Sequence, residues 1–156
     1  MIEFRTARRE DLPQIVRLLV EDPLGAQRER YEEPLPQAYL DAFERMSRQP
    51  GNRILLAVDD GEVAGCLQLT LIAGLSRQGL TRAQIEGVRV AKDRRGSGIG
   101  EGLMSQAIEI ARAEGCGLVQ LTTDQRRADA HRFYERLGFV ASHLGMKLAL
   151  GPAEER

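Results

Sequence analysis

Ile85-Glu86-Gly87-Val88-Arg89-Val90-Ala91-Lys92-Asp93-Arg94-Arg95-Gly96-Ser97-Gly98-Ile99-Gly100-Glu101-Gly102-Leu103-Met104 is the stretch on which the reading of this chain turns. It divides into a strand, a basic turn, a glycine run and the start of a helix. Val88 and Val90 alternate with Arg89 in a β-branched pattern that suits a strand, and Gly87 within it marks a bulge or a close approach to the backbone. Gly96, Gly98 and Gly100 then remove Cβ atoms where a helix must begin, so several backbone N–H groups can converge on one object. That object should be an anion, because a helix N-terminus presents unpaired donors and the positive end of the helix dipole. Arg94 and Arg95 add donors suited to phosphate oxygens.

The spacing separates this loop from other phosphate binders. A dinucleotide fingerprint requires Gly-x-Gly-x-x-Gly, but the third position holds Glu101 in one register and Leu103 in the other. A Walker A loop requires Gly-Lys-Ser/Thr, and no lysine stands between Lys92 and Lys147. What remains, Arg95-Gly96-Ser97-Gly98-Ile99-Gly100 after a Val-x-Val strand, resembles motif A of the GCN5-related N-acetyltransferase (GNAT) family, Gln/Arg-x-x-Gly-x-Gly/Ala. In that family the loop grips the pyrophosphate of acetyl-coenzyme A. The competing reading is a flexible glycine turn flanked by solvated arginines.

Composition agrees with a compact enzyme. A chain of 156 residues with 42% hydrophobic content can bury one core, so a single domain is expected over 1–150, followed by a polar tail at 151–156. Twenty-two basic and 23 acidic residues leave a formal charge of −1, which gives no global attraction to nucleic acid or to a membrane surface. Cys66 and Cys116 lack CxxC or His-rich spacing, which argues against zinc and against a secreted disulfide scaffold. No metal is expected. No leader pattern and no long apolar run is present, so the expected location is cytoplasmic.

In chain order, Ile2–Arg5 alternates as a first strand, and Asp11 can cap a helix whose apolar positions are Leu12, Ile15, Val16 and Leu19. The charged, proline-punctuated run 24–36 reads as a loop, with Tyr31 its only large aromatic residue and a substrate lid one possible use. Leu35, Tyr39, Phe43 and Met46 mark a second helix. Arg53–Asp59 and Glu62–Ile72 form a hairpin around Asp60-Gly61, with Val63, Gly65, Leu67, Leu69 and Leu71 expected on one face. After the loop 73–82 and the decisive strand, Ile99, Leu103, Ala107, Ile110 and Ala111 line a helix that Gly115 stops. Leu118–Thr122 is a short strand, and Ala128–Leu137 a helix stopped by Gly138. Phe139–Ala141 and the alternating Leu144–Leu150 are expected as two closing strands.

This order, β-α-α-β-β-β-α-β-α-β-β, is that of the GNAT fold, so the resemblance covers nearly the whole chain. It implies an α/β (α+β) protein with a mixed central sheet of about seven strands and four helices. A second motif agrees: Ala130-His131-Arg132-Phe133-Tyr134-Glu135-Arg136-Leu137-Gly138-Phe139 resembles the family's late signature, Asn-x-x-Ala-x-x-Phe/Leu-Tyr-x-x-x-Gly-Phe. The Asn falls on Arg127, and Thr123, Asp124 and Asp129 are the candidates to supply its hydrogen bond to the pantetheine arm.

The resemblance assigns the cofactor contacts to Val88, Arg89, Val90, Arg95, Gly96, Ser97, Gly98, Ile99, Gly100 and His131. Amine attack on a thioester requires loss of an amine proton, stabilisation of the oxyanion and protonation of the departing thiolate. Tyr134 is the candidate general acid, since a phenol with an ordinary pKa of about 10 stays protonated at neutral pH; the competing role is a core aromatic. Glu86 is the candidate base, drawing the proton off through water, and burial would suit it to that work. Its competing roles are an exposed strand carboxylate or an ion-pair partner for Arg89.

The activity implied is acetyl-CoA-dependent transfer of an acetyl group to the primary amine of a small molecule, by direct attack in a ternary complex. A protein lysine or N-terminal acetyltransferase, or a non-catalytic acyl-CoA-binding regulatory module, are the alternatives. The acceptor is not legible, although Arg28, Arg30, Arg77 and Arg82 hint at an anionic group. The resemblance also implies a homodimer, with the late strands as its contact.

Overall fold

Asp60 and Gly61 hold positive φ angles, 49° and 81°, which is what a two-residue hairpin turn requires and what this dipeptide tolerates. In the computed structural model, which describes residues 1–151, that turn joins β2 (Asn52–Asp59) to β3 (Glu62–Ile72). The chain divides into two compact units, Met1–Leu121 and the residues from Thr122 onward. The expected polar tail lies, from Pro152, outside the described residues.

The first unit is built on one sheet of order β1-β2-β3-β4-β5, with β1 at Ile2–Thr6, β4 at Arg82–Val90 and β5 at Leu118–Leu121. The first three pairings are antiparallel and β4–β5 is parallel, so the fold is mixed α/β. Helices α1 (Leu12–Glu21) and α2 (Gln37–Ser47) precede β2. Leu12, Ile15 and Leu18 form one buried cluster with Leu56, Val58, Val63 and Cys66, and Leu40 and Phe43 of α2 pack against it. Asp11 stands before α1 as expected, but its carboxylate serves a buried ion pair: both oxygens accept from Arg5, at 2.8 and 2.9 Å, and Oδ2 also accepts from the Arg8 N–H.

The opposite face is covered by α4 (Ile99–Ala113), whose Leu103, Met104 and Ala107 are fully buried, each large side chain contributing about 1.5–3 kcal/mol. The approach is close. A Cβ on Gly102 would lie 2.7 Å from the Phe4 ring, and one on Gly65 would lie 2.9 Å from Ile99. Cys116 N–H donates to Ala111 O at 2.9 Å just beyond Gly115, closing α4 where the glycine predicted a stop.

Two expectations change here. Val63 does not share a face with Gly65, Leu67 and Leu69. Val58 pairs with Val63 and Ala57 with Gly65, so Ala64 is an extra residue in β3 and the bulge turns Val63 towards α1. The run 73–82, expected as a loop, contains a single turn α3 (Ser76–Gly79), left-handed at Arg77 and Gln78.

The second unit carries α5 (Ala128–Arg136), closed at Gly138 by a bond from Phe139 N–H to Tyr134 O, 3.1 Å. The two closing strands expected at Phe139–Ala141 and Leu144–Leu150 do not form among the described residues, so the sheet has five strands and not about seven. The alternation is real, but a strand needs a partner's backbone as well as a pattern. A tight hairpin at Ser142-His143 would need positive φ angles, and neither residue adopts one.

Candidate active site

A strand that outruns its neighbour leaves backbone groups to be used by something else. β5 pairs with β4 only from Arg82–Leu118 to Ile85–Leu121, so Glu86 to Val90 continue past the last rung. At that point β4 carries a bulge. Cys66 pairs with Arg89 and Gln68 with Glu86, leaving Gly87 and Val88 opposite the single residue Leu67, and Gly87 adopts a φ of +60°. No atom crowds a Cβ built on Gly87, so the conformation, and not lack of space, explains the glycine. Beyond the bulge, Ala91 N–H donates to Ala64 O at 2.8 Å, towards β3. By the two-residue alternation of the ladder beyond the bulge, the N–H of Val90 points the other way, to the side where β5 has ended.

The chain then makes a 3-10 turn at Lys92–Arg94 and enters α4 through Gly98, whose φ of +86° sets the N-cap. The first intrahelical bond is Gly102 N–H to Gly98 O, 3.0 Å, and no side chain caps this end. The amides of Ile99, Gly100 and Glu101 are therefore outside the helical ladder, and the Cα atoms of Gly96, Gly98 and Gly100 carry nothing to keep a ligand away. Such a cradle fits a diphosphate. The arginines divide their work. Arg94 is ion-paired with Asp59, which it holds below the usual carboxylate range, and its carbonyl accepts from the Ser97 hydroxyl. Arg95 makes one long bond to Val90 O, 3.5 Å, and is the arginine available at the loop.

Arg89 is turned inward. Its Nη1 donates to Val88 O at 2.9 Å and its guanidinium lies 3.9 Å from Asp22. Its side chain links β4 to the end of α1, and its backbone pairs with Cys66 of β3. Glu86 is exposed, so it lacks the burial that would favour its use as a base, and it is not the ion-pair partner of Arg89. Cys66 is buried beneath the bulge with its thiol 3.8 Å from Gly87 O, and burial pushes its pKa up to about 12, so it stays protonated.

Asp22 is the residue that sequence reasoning missed. It is 6% exposed, and its Oδ2 accepts from Gly25 N–H at 2.8 Å, folding the start of the 24–36 loop back on α1. The Asp-Pro that ends an amphipathic helix three residues before a glycine was the available signal. Further along the loop, Tyr31 accepts from Arg17 (2.8 Å) and donates to Glu33 (2.7 Å), with the guanidinium 4.8 Å over its ring. Arg17, Glu21, Tyr31, Glu62 and Ala91 border an open cleft of about 460 Å³. Arg30, one of the arginines read as a hint of an anionic acceptor, is paired with Glu32 at 2.9 Å.

In the second unit, Tyr134 is half-buried between Phe133 and Phe139, edge-on to both, with ring centroids 5.2 and 5.9 Å away. Arg127 occupies the N-cap of α5 and gives no side-chain cap, as a guanidinium has no acceptor. Asp124 receives the backbone and guanidinium of Arg126, which hold its carboxyl well below the usual range, and Asp129 is paired with Arg132. Of the three candidates for the missing Asn contact, only the Thr123 hydroxyl is not committed in this way. His131 places Nε2 3.0 Å from Asp124 O, which ties the ring to the loop ahead of α5.

A strand freed at a bulge and followed by a glycine-entered helix offers backbone donors to an anion, and comparison with known proteins gives the class of the protein. Residues 13–139 match the model of the Acetyltransferase (GNAT) family, and the chain belongs to that family. It is an N-acetyltransferase. It is 36% identical over 114 residues to a Salmonella typhimurium protein named aminoalkylphosphonate N-acetyltransferase, covering 73% of each chain. To a Trypanosoma brucei brucei protein named glucosamine 6-phosphate N-acetyltransferase it is 31% identical over 119 residues, covering 75% of this chain and 79% of that one. A crystal structure from Bacillus halodurans C-125, described as a transcriptional regulator, superposes with a TM-score of 0.94 at 47% identity, over 96% of this chain and all of that one. Among the described residues no helix is long and apolar enough to cross a membrane, and no group of three or more His, Cys, Asp or Glu is placed to hold a metal.

Proposed function

We propose that this protein transfers the acetyl group of acetyl-coenzyme A to the primary amine of a small molecule, by direct attack in a ternary complex. The observation that carries this reading is the pairing of β4's free edge beyond the Gly87 bulge with the uncapped start of α4, a few residues further along the same chain. In this reading the amides of Ile99 and Gly100, with Gly96, Ser97 and Gly98 shaping the loop, hold the diphosphate, and Arg95 adds charge. Val88 or Val90 donates its backbone N–H to the acetyl oxygen, where negative charge grows during attack. The thioester supplies an activated acyl group and a thiol leaving group. Tyr134 gives its phenolic proton to the departing sulfur, and His131 lines the coenzyme. Glu86, being exposed, takes the amine proton through water and is expected to matter less than Tyr134.

The names of the two relatives suggest the acceptor. An aminoalkylphosphonate and a sugar phosphate each join an amine to a phosphorus oxyanion. A small amine bearing such a group is the first acceptor class to test, and a protein lysine or N-terminus the second. The Bacillus relative, by its description, favours a different reading in which acyl-CoA is bound and not consumed.

One assay separates these readings: thiol release from acetyl-coenzyme A across a panel of amines, with wild type and Tyr134→Phe. Sustained turnover with an aminoalkylphosphonate or amino-sugar phosphate, reduced about 10²-fold or more in the variant, is the expected result. Turnover unchanged in Tyr134→Phe would remove the general-acid role, and binding without release across the panel would leave the regulatory reading.

A further inference from the structure

Asp22, at the end of α1, and the side chain of Arg89, on β4, face each other inside the first unit with 3.9 Å between guanidinium and carboxylate. Taking two charges out of water is costly, so a buried pair is poor evidence of stability by itself. This one holds two pieces of backbone. On one side Arg89 Nη1 donates to Val88 O at 2.9 Å. On the other, Asp22 Oδ2, the oxygen nearest Arg89, accepts the Gly25 N–H at 2.8 Å, and Asp22 O accepts that of Ala26 at 2.8 Å. Gly25 sits hard against α1, where a Cβ would lie 1.9 Å from Leu19 O.

The direction of the Val88 carbonyl gives the pair its use. Ala91 N–H faces β3, and so does Arg89 N–H two residues earlier, which meets the Cys66 sulfur. In a trans peptide the C=O lies opposite the N–H, so Val88 O points to the free edge of β4, the same side as Val90 N–H. A bare carbonyl there would oppose negative charge growing on an oxygen held by the Val90 N–H. Arg89 occupies that carbonyl and sets a positive charge beside it.

We infer that Asp22 is a positioning residue for acetyl transfer: through Arg89 it fixes the free edge of β4, and through Gly25 it fixes the start of the 24–36 loop. One carboxylate oxygen thus couples the edge that receives the thioester to the loop whose Tyr31 borders the open cleft with Ala91. The kinetic consequence rests on the reaction proposed above, whereas the coupling between loop and strand does not.

The test compares full-length wild type with Asp22→Asn, Arg89→Lys and the double variant. Lysine keeps the charge but lacks the fork that reaches Val88 O and Asp22 together. In hydrogen exchange without ligand, Asp22→Asn should speed the Ala91 amide, and Arg89→Lys the Gly25 amide, at least about tenfold, while Leu56 and Met104 keep wild-type rates. In thiol release, Asp22→Asn should lower kcat about tenfold or more, with the coenzyme A Kd from calorimetry within about twofold of wild type. The double variant should be no slower than the slower single one. Single effects that multiply in the double variant, coenzyme A affinity lost in parallel with kcat, or a wild-type kcat in Asp22→Asn would each overturn the positioning role. Gly25→Ala leaves both charges in place but cannot seat its Cβ. It should show the same kcat loss with coenzyme A affinity retained, and a wild-type kcat there would also overturn the inference. If wild type releases no thiol with any amine, the proposed reaction fails, and unchanged Ala91 and Gly25 exchange would then overturn the coupling as well.

Discussion

The segments 85–104 and 139–150 carry equally plain patterns, yet only the first takes up the structure its pattern describes. In 85–104, each element finds its partners within the first unit: β4 pairs with β3 and α4 buries Leu103 and Met104 on the sheet. In 139–150 the alternation is as regular, but no ladder forms and the apolar side chains after Phe139 face water. A helix satisfies its own hydrogen bonds and requires only a surface to cover, whereas a strand is incomplete until another backbone lies beside it. Pattern therefore tells which face a strand will bury and says nothing about who completes it.

The contrast can be broken at its strongest point. Leu103→Ala should remove about 3–4 kcal/mol of stability by transfer loss and cavity formation, measured by denaturant melting. Leu148→Ala should fall within about 0.5 kcal/mol of wild type. Equal losses would mean that the late segment is packed after all.

Charge pairs sharpen the same comparison. Asp11 is buried and bidentate with Arg5, and Asp11→Asn should cost about 3 kcal/mol. Hydrogen bonding to Arg5 lowers the folded-state pKa of Asp11. Its contribution is therefore fully present above the unfolded value, about pH 4, and disappears as pH falls through the lowered folded value. The wild-type and Asn curves should converge in that acidic window, and a gap that is constant with pH would remove this ion pair from the account. Asp124 in the second unit has a similarly lowered carboxyl but an exposed pair with Arg126, so Asp124→Asn should scarcely move the melting temperature. One small effect is expected to be a gain. Arg127→Asn supplies the missing side-chain cap of α5 and should add up to about 1 kcal/mol, read as a rise in thermal midpoint.

Much of this was legible beforehand where the physics is local. The Asp60-Gly61 turn, the Gly87 bulge, the entry of α4 at the glycine run and the stops at Gly115 and Gly138 depend on a residue's own backbone preferences. What was not legible depends on contacts distant in sequence. The Ala64 bulge arises from register with Ala57 and Val58, and it changed the face of Val63. Asp22 became visible as a site residue only when the fold brought Arg89 to it, a contact made in place of the Arg89–Glu86 pair that was the competing reading of Glu86. The division of labour between Arg94 and Arg95 was hidden for the same reason, since Asp59 is far from both in sequence.

The central claim is that the amides entering α4 hold the diphosphate of coenzyme A. Titrating ¹⁵N-labelled protein with coenzyme A and following the backbone amide resonances tests it directly. The N–H signals of Gly98, Ile99 and Gly100 should move the most and saturate together, and Arg95→Gln should weaken that saturation severalfold. Saturable binding that shifts other resonances and leaves these three in place would contradict the account.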